Sequence, residues 1–562
     1  MTNNPRVFLW LALALALWLN YDAWNRDYRG SASVVPQTSA SSRTPGSAAP
    51  PGLGDAVPQA PSSAAPNSTP SATVAPPVEQ SAATSGAIGS IHVKTDVLDV
   101  LISLQGGTIS QVDLPNYPKV KGQREPVRLE NQGSPETLYL VQSGLTGAGN
   151  SHPTHQAIFS SSQSEYTLQG GQKELRVPLL WKNDQGVTVE KTFIFKPGEY
   201  RVDLEQTVRN ESSAPWQAAT YARILRNDPK TSHSMFNVES YAFHGPAMWD
   251  GTKYRKLDTE DKDDANLAID VKEGWIAALQ HHFVTAIVPP KDTSYRLTLG
   301  AAANEYLFSA VGPTQTVAPS QTAQFPITFF IGPKLQKQLQ EIHPELSRVT
   351  DYNHLYLLSQ PLFKLLSIVH GFFGNWGIAI ILVTFLLKLV FYPLSETSGR
   401  SMAKMKMLAP RIKNLQETHK DDREKLGRAM MELYQREKIN PVAGCLPIVI
   451  QIPVFLAFYW VLLESVEMRQ APFMGWINDL SSRDPFFILP AIMAAAMFMQ
   501  YKLQPTPADP IQAKVFMIMP LAMSVMFAFF PAGLVLYWVT NTILSIAQQW
   551  NINRRIEAGK KT

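Results

Sequence analysis

Residues 376–394 read Trp-Gly-Ile-Ala-Ile-Ile-Leu-Val-Thr-Phe-Leu-Leu-Lys-Leu-Val-Phe-Tyr-Pro-Leu, with one charge, Lys388, and no acid. As a helix this stretch spans about 28 Å, close to the roughly 30 Å hydrocarbon core of a bilayer. A cation near the middle of such a helix costs about 2.5–3.5 kcal/mol on insertion scales. Such residues normally face a bundle interior or a water-filled cavity, and Thr384 lies one turn away on the same face. Two readings stay open. Lys388 snorkels to the headgroups near Leu394, or it lines a hydrophilic pocket inside the membrane, open on the Leu394 side.

The rest of the chain separates into a polar front and an apolar back, which average to a mean hydropathy of -0.09. A net charge of +4 over 562 residues is too small to argue for a nucleic-acid partner. Cys445 is the only cysteine, so no intrachain disulfide can form. It sits in an apolar run and reads as a buried, inert thiol.

Residues 7–19 are an unbroken apolar run behind Arg6, as in a signal peptide or anchor. The small-residue triplet Gly30-Ser31-Ala32 lies beyond Asp22, Arg26, Asp27 and Arg29, too far and too charged for a cleavage region, so an uncleaved anchor is expected. Tyr21 and Trp24 then fall in the outer interfacial belt. Residues 31–88 are Pro, Ser, Ala and Thr with Arg43, Asp55 and Glu79 as the only charges. That composition cannot bury a core and reads as a disordered tether without chemistry.

From about residue 90 the period is that of strands. Val187, Val189, Phe193 and Phe195 alternate with polar neighbours, Pro197-Gly198 turns the chain, and Tyr200, Val202, Leu204 and Val208 alternate again. Two period-two runs across a Pro-Gly turn predict a hairpin with one buried face. Similar runs recur to about residue 331, which predicts a mostly β domain, a sandwich. His281 and His282 are adjacent, and on a strand they would point to opposite faces, unable to share a metal. Residues 258–264 are rich in Asp but lack the glycine and spacing of a calcium loop, and read as a solvated acidic loop.

Leu355, Leu358, Leu362, Leu365, Leu366 and Val369 then recur at helical spacing just before the apolar stretch. This amphipathic helix either lies in the membrane interface or packs on the β domain. Residues 399–439 hold eleven Lys or Arg against six Asp or Glu. Met405, Leu408, Ile412 and Leu415 face Leu426, Met430 and Leu433, with Asp421 and Asp422 between them as caps. The segment reads as a helical hairpin with a basic exterior, cytoplasmic by the positive-inside rule. Further apolar segments cover 442–463, 486–501, 515–530 and 534–547, so that with the anchor the chain has six spans and both termini inside. The 486–501 and 515–530 segments are about 24 Å as helices, short enough to thin a bilayer locally. Fourteen of the seventeen methionines follow Arg400, which suits either promiscuous binding or gap-filling.

The five carboxyl-terminal spans hold no Asp, Glu or His. A proton relay or coupled transporter would pair Lys388 with such a group, and an intramembrane protease needs a Ser/His pair or two aspartates. A groove for another polypeptide, in which Lys388 waits for its partner, survives this test. Gln451, Asn541, Thr542 and Ser545 supply uncharged polar groups within the spans, which interhelical hydrogen bonds would explain equally well. A transporter or channel with a cationic site is the alternative.

The ordered motifs Asn375-Trp376-Gly377, Tyr392-Pro393-Leu394, Ser401-Met402-Ala403-Lys404-Met405, Asn440-Pro441, Gly444-Cys445, Gln451-Ile452-Pro453, Arg469-Gln470-Ala471-Pro472-Phe473 and Phe530-Pro531-Ala532-Gly533-Leu534-Val535-Leu536-Tyr537 resemble the bacterial YidC membrane protein insertases. The long β region after the first span is similar to the Gram-negative branch of that family. The resemblance implies an N-terminal anchor at 1–29 and a linker at 30–89. It further implies a periplasmic β-sandwich at 90–340 and an interfacial helix at 341–373. A five-helix insertase core follows at 374–550, including the cytoplasmic hairpin 399–439, and then a basic tail at 551–562. It implies an inner-membrane insertase and chaperone, not an enzyme, that needs no cofactor. The clients are nascent inner-membrane proteins, inserted alone or beside the Sec translocon (SecYEG with SecD and SecF). Ribosome and targeting-factor contacts would map to the hairpin. The family's groove arginine falls at Lys388, which keeps the charge but loses the bidentate fork. Thr384 matches a groove residue of the same helix, and Tyr537 and Trp538 fall at substrate-contacting aromatics of the last span.

Overall fold

The computed structural model describes residues 53–59, 89–148, 152–228, 242–302, 304–352, 355–419, 422–437, 446–503 and 510–558. The expected anchor at 1–29, most of the linker, Asp421, Asn440-Pro441, Cys445 and the last four residues of the tail lie outside them.

The β region is built from one eleven-stranded and one eight-stranded sheet. Its pairings are antiparallel except that of Ser90–Lys94 with Glu165–Thr167. Alternate residues from both sheets fill one core: Ile102, Val112, Ile224 and Phe308 from the larger, Phe193, Leu204, Ile276 and Phe329 from the smaller. The expected hairpin is present, Val187–Phe195 pairing with Arg201–Asn210 so that Phe195 stands opposite Val202. Gly198 takes a left-handed φ of 71° at its turn, where a Cβ would be strained. One departure from the alternation is Lys191, fully buried in the middle of the first strand. Its Nζ donates to the carbonyls of Gly106 (2.5 Å) and Ser143 (2.9 Å), which replace water around the ammonium.

His281 and His282 correct the expectation drawn from strand geometry. They occupy the two-residue bend between Trp275–Leu279 and Phe283–Val288, not a strand, and their rings stack at 3.8 Å. The acidic loop spends its carboxylates locally. Asp258 accepts from the Glu260 N–H at 2.8 Å, Asp261 from the Asp263 N–H at 2.8 Å, and Asp264 pairs with Arg255 at 2.8 Å.

The helical region runs α1 (Gln336–Ile342), α2 (Tyr356–Phe373), α3 (Trp376–Val390), α4 (Tyr392–Thr418), α5 (Arg423–Arg436), α6 (Leu446–Glu464), α7 (Ile488–Leu503), α8 (Pro510–Phe527) and α9 (Ala532–Ala558). The stretch 376–394 is not one helix. It ends at Val390 and turns by 70° into α4. Pro393 has no N–H for the carbonyl of Leu389 and fits only the first turn of a new helix, so the apolar run breaks there. Lys388 therefore stands in the last turn of α3, not near mid-helix. Among the described residues no single helix is long and apolar enough to cross a membrane, while the bent pair α3–α4 passes that test together.

Helix α2 buries Ser359, Leu362, Phe363, Leu366 and Val369 against α3 and α6, so it packs on the helical region and not on the β domain. Leu358, expected on the buried stripe, is exposed with Leu357, Ile368, Phe372 and Phe373. Helices α4 and α5 form the expected hairpin. Asp422 caps α5 by accepting from the N–H groups of Glu424 and Lys425, and Arg411 reaches Glu437 across it at 2.6 Å.

The two regions are joined by polar contacts. Glu464, at the carboxyl-terminal end of α6, lies 4.0 Å from Lys334 and 3.9 Å from His281. In the loop beyond, Arg469 and Gln470 both donate to the carbonyl of Pro118, at 2.8 and 2.9 Å.

Candidate functional site

The apolar helices bury their cross-facing residues in one cluster, which fixes where their few polar groups meet. Asn375 starts α3 by accepting from the Ile378 N–H (3.1 Å) and ties it to the loop between α6 and α7 by donating to the carbonyl of Phe473 (2.8 Å). Gly377 permits this approach, since a Cβ there would stand 2.0 Å from the Phe473 ring. From that fixed end α3 carries Thr384 and Lys388 inward on one face. Thr384 is buried, and its hydroxyl donates to the carbonyl of Ile380 at 2.6 Å. Lys388 Nζ donates to Ser545 Oγ of α9 at 2.8 Å, and Ser545 Oγ in turn donates to the Asn541 carbonyl at 2.7 Å.

Gln451 of α6 donates to the hydroxyl of Tyr537 on α9 at 2.5 Å. Tyr537 is buried and stacks on Phe458, with centroids 4.3 Å apart. Trp538, the next residue of α9, meets Phe455 edge-on at 4.8 Å.

Two adjoining spaces collect these groups. A void of 20 Å³ touches Thr384, Lys388, Gln451, Tyr537 and Asn541, room for about one water. A cavity of 340 Å³ lies beside it between α3, α6, α7, α8 and α9, with Lys388, Gln451 and Trp538 on its wall. Half of its remaining wall is Phe, Met and Pro, with Gln500, Asn541, Thr542 and Ser545 as polar groups, and no carboxylate lines it among the described residues. All five site residues read from the sequence thus converge on one region. Sequence reasoning did not single out Gln500, Met519 and Met523, which also line the cavity, nor Ser545 as the partner of Lys388. Their signal was present: Gln500 is a lone amide in an apolar segment, and both methionines lie in the Met-rich half.

A cation and uncharged polar groups thus face a cavity with a largely apolar wall; the comparisons with known proteins supply the family. Residues 90–365 match the family model described as the YidC periplasmic domain, and residues 368–560 match that of the 60Kd inner membrane protein. The class is an inner-membrane protein with a periplasmic β-rich domain and a helical carboxyl-terminal region. The membrane protein insertase YidC of Thioalkalivibrio sulfidiphilus is 45% identical over 575 residues, covering 100% of both chains. That of Nitrosococcus oceani is 44% identical over 561 residues, covering 99% of each. A crystal structure of an active YidC insertase with its first transmembrane domain resolved is 19% identical, covers 82% of this chain and 94% of its own, and has a TM-score of 0.36. The chain belongs to the YidC family of membrane protein insertases. It is an insertase, not an enzyme, and the transporter or channel alternative finds no support among its full-length relatives.

Proposed function

We propose that the cavity beside Lys388 receives the hydrophilic outer segment of a client protein during insertion. The observation that carries this is the placement of Lys388 on the wall of a 340 Å³ space that no carboxylate lines among the described residues. An ammonium has three donors, and the Ser545 hydroxyl takes one. The others suit an acidic side chain or a carbonyl of a passing segment, and at low dielectric such an attraction is stronger than in water. Gln451, Asn541 and Thr542 offer uncharged hydrogen-bonding partners along the same wall. Methionines there adapt to clients of different shape.

In this reading the chain has six spans, with both termini and the α4–α5 hairpin in the cytoplasm. Clients enter from the cytoplasm or sideways from lipid, and leave outward as their apolar helix partitions into the bilayer. Insertion runs alone or beside the Sec translocon (SecYEG, SecD and SecF), and the hairpin receives ribosomes and targeting factors.

Photo-cross-linking to a client stalled during insertion tests the route. A photoreactive residue at Met519 is expected to capture the client's hydrophilic segment, whereas one at the exposed position Leu386 captures only its apolar helix. Capture of the hydrophilic segment from Leu386 and not from Met519 would refute the route.

A further inference from the structure

The geometry points to a peptide-docking site on the outer face of the larger sheet, whose occupant is this chain's own segment 53–59, a helical turn at Leu53–Asp55 followed by irregular chain. The compositional reading gave the linker no role. Yet the carbonyls of Gly54, Asp55, Ala56 and Pro58 are all held by side chains of the β domain.

Tyr221, Arg223 and Leu225 alternate along the strand Trp216–Asn227, on the face opposite Ala222 and Ile224, which enter the inter-sheet core. Arg223 is fully buried. Its Nε donates to Gln142 Oε1 at 2.8 Å, and its two terminal nitrogens donate to the carbonyls of Gly54 and Ala56. Burial pulls its pKa down to about 10, which leaves it charged at neutral pH. A buried cation needs acceptors, and residues 53–59 supply them. His155 adds a second donor to the Gly54 carbonyl. The Tyr221 hydroxyl accepts from the His155 backbone N–H and meets Nδ1 at 2.9 Å; donating there makes Nδ1 the acceptor and leaves Nε2–H to donate to Gly54 O at 3.1 Å. Burial, with Arg223 close by, lowers the His155 pKa to about 3, so the ring is neutral at neutral pH. Gln156 and Thr146 hold the carbonyls of Asp55 (3.1 Å) and Pro58 (2.9 Å).

The site therefore reads backbone along the segment and one side chain, the hydrogen of Gly54. A Cβ at that position would stand 3.0 Å from Leu225 Cδ2. Docking divides the linker, leaving residues 30–52 as the covalent stretch between the β domain and the segment read as an anchor.

Cross-linking in the full-length protein tests the docking. A Cys445→Ser background carrying Leu53→Cys and Gly300→Cys places two thiols together, since a Cβ on Gly300 would lie 3.9 Å from Leu53 Cδ2. A short bifunctional thiol reagent is expected to join them within one chain, read by mass spectrometry after digestion. Adding Gly54→Leu or Arg223→Gln is expected to slow that reaction at least tenfold. Gly54→Leu alters only the linker, so it remains informative even if Arg223→Gln lowers the melting temperature. Equal rates in the parent and in Gly54→Leu, or no cross-link in the parent, would overturn the docking.

Discussion

Glu130 lies fully buried between the two sheets, where one oxygen accepts from the Thr285 hydroxyl at 2.5 Å and the other has no hydrogen-bond partner. Burial raises its pKa from 4.5 to about 7, the Thr285 hydrogen bond and nearby Arg226 opposing. A raised folded pKa means its contribution to stability is full below 4.5 and is lost as pH rises through about 7. Glu130→Gln removes that dependence. Between pH 5 and pH 9 the stability of the variant relative to the native protein is expected to improve by about 2–3 kcal/mol, measured by denaturation of the detergent-solubilised protein. Parallel pH profiles would show that the side chain is hydrated and not buried. Neither Glu130 nor Lys191 was visible in the sequence. Each sits in a strand whose apolar neighbours mark the fold, and its partners come from distant segments.

At the scale of elements, the amino-terminal end of α3 is set by a close approach to Phe473. Gly377→Ala would put a methyl 2.0 Å from the Phe473 ring and force α3 and the loop between α6 and α7 apart. Overpacking of this kind costs about 1–3 kcal/mol, and the melting temperature is expected to fall by several degrees. Gly371→Ala, on α2 with nothing within 4 Å of the new methyl, is the control and is expected to be neutral or slightly stabilising. Similar melting temperatures for both variants would contradict the close approach. The β-hairpin was legible because a period-two pattern meets a Pro-Gly turn, and the α4–α5 hairpin because Asp422 separates two helical stripes. The break at Phe391 was misread because apolar composition runs through it, although Tyr392-Pro393 marked the place. The docked segment was hidden by low-complexity composition. Gly54 means nothing until Arg223, far along the chain, folds beneath it.

For the whole molecule, the charge of the loops sets the expected orientation. Single cysteines at Lys420 are expected to be labelled from the cytoplasm, and those at Gly198 and Gly475 from the periplasm; periplasmic labelling at Lys420 would refute the six-span topology. The groove residues lie on α3, α6 and α9, so deleting residues 90–320 of the β domain is expected to preserve insertion of a simple client, provided the truncated protein reaches the membrane. Complete loss of insertion at normal abundance would contradict this. The electrostatic role of Lys388 is tested most directly by one client carrying two, one or no acids in its translocated segment. Its insertion is measured in the native protein and in Lys388→Arg, Lys388→Ala and Lys388→Glu. Lys388→Arg is expected to be tolerated, because the charge persists though the geometry differs. Lys388→Glu is expected to impair the two-acid client most and the neutral client least, since like charges repel strongly in a partly dehydrated groove. Equal loss across the client series, at equal insertase abundance, would contradict the attraction and leave Lys388 a structural residue.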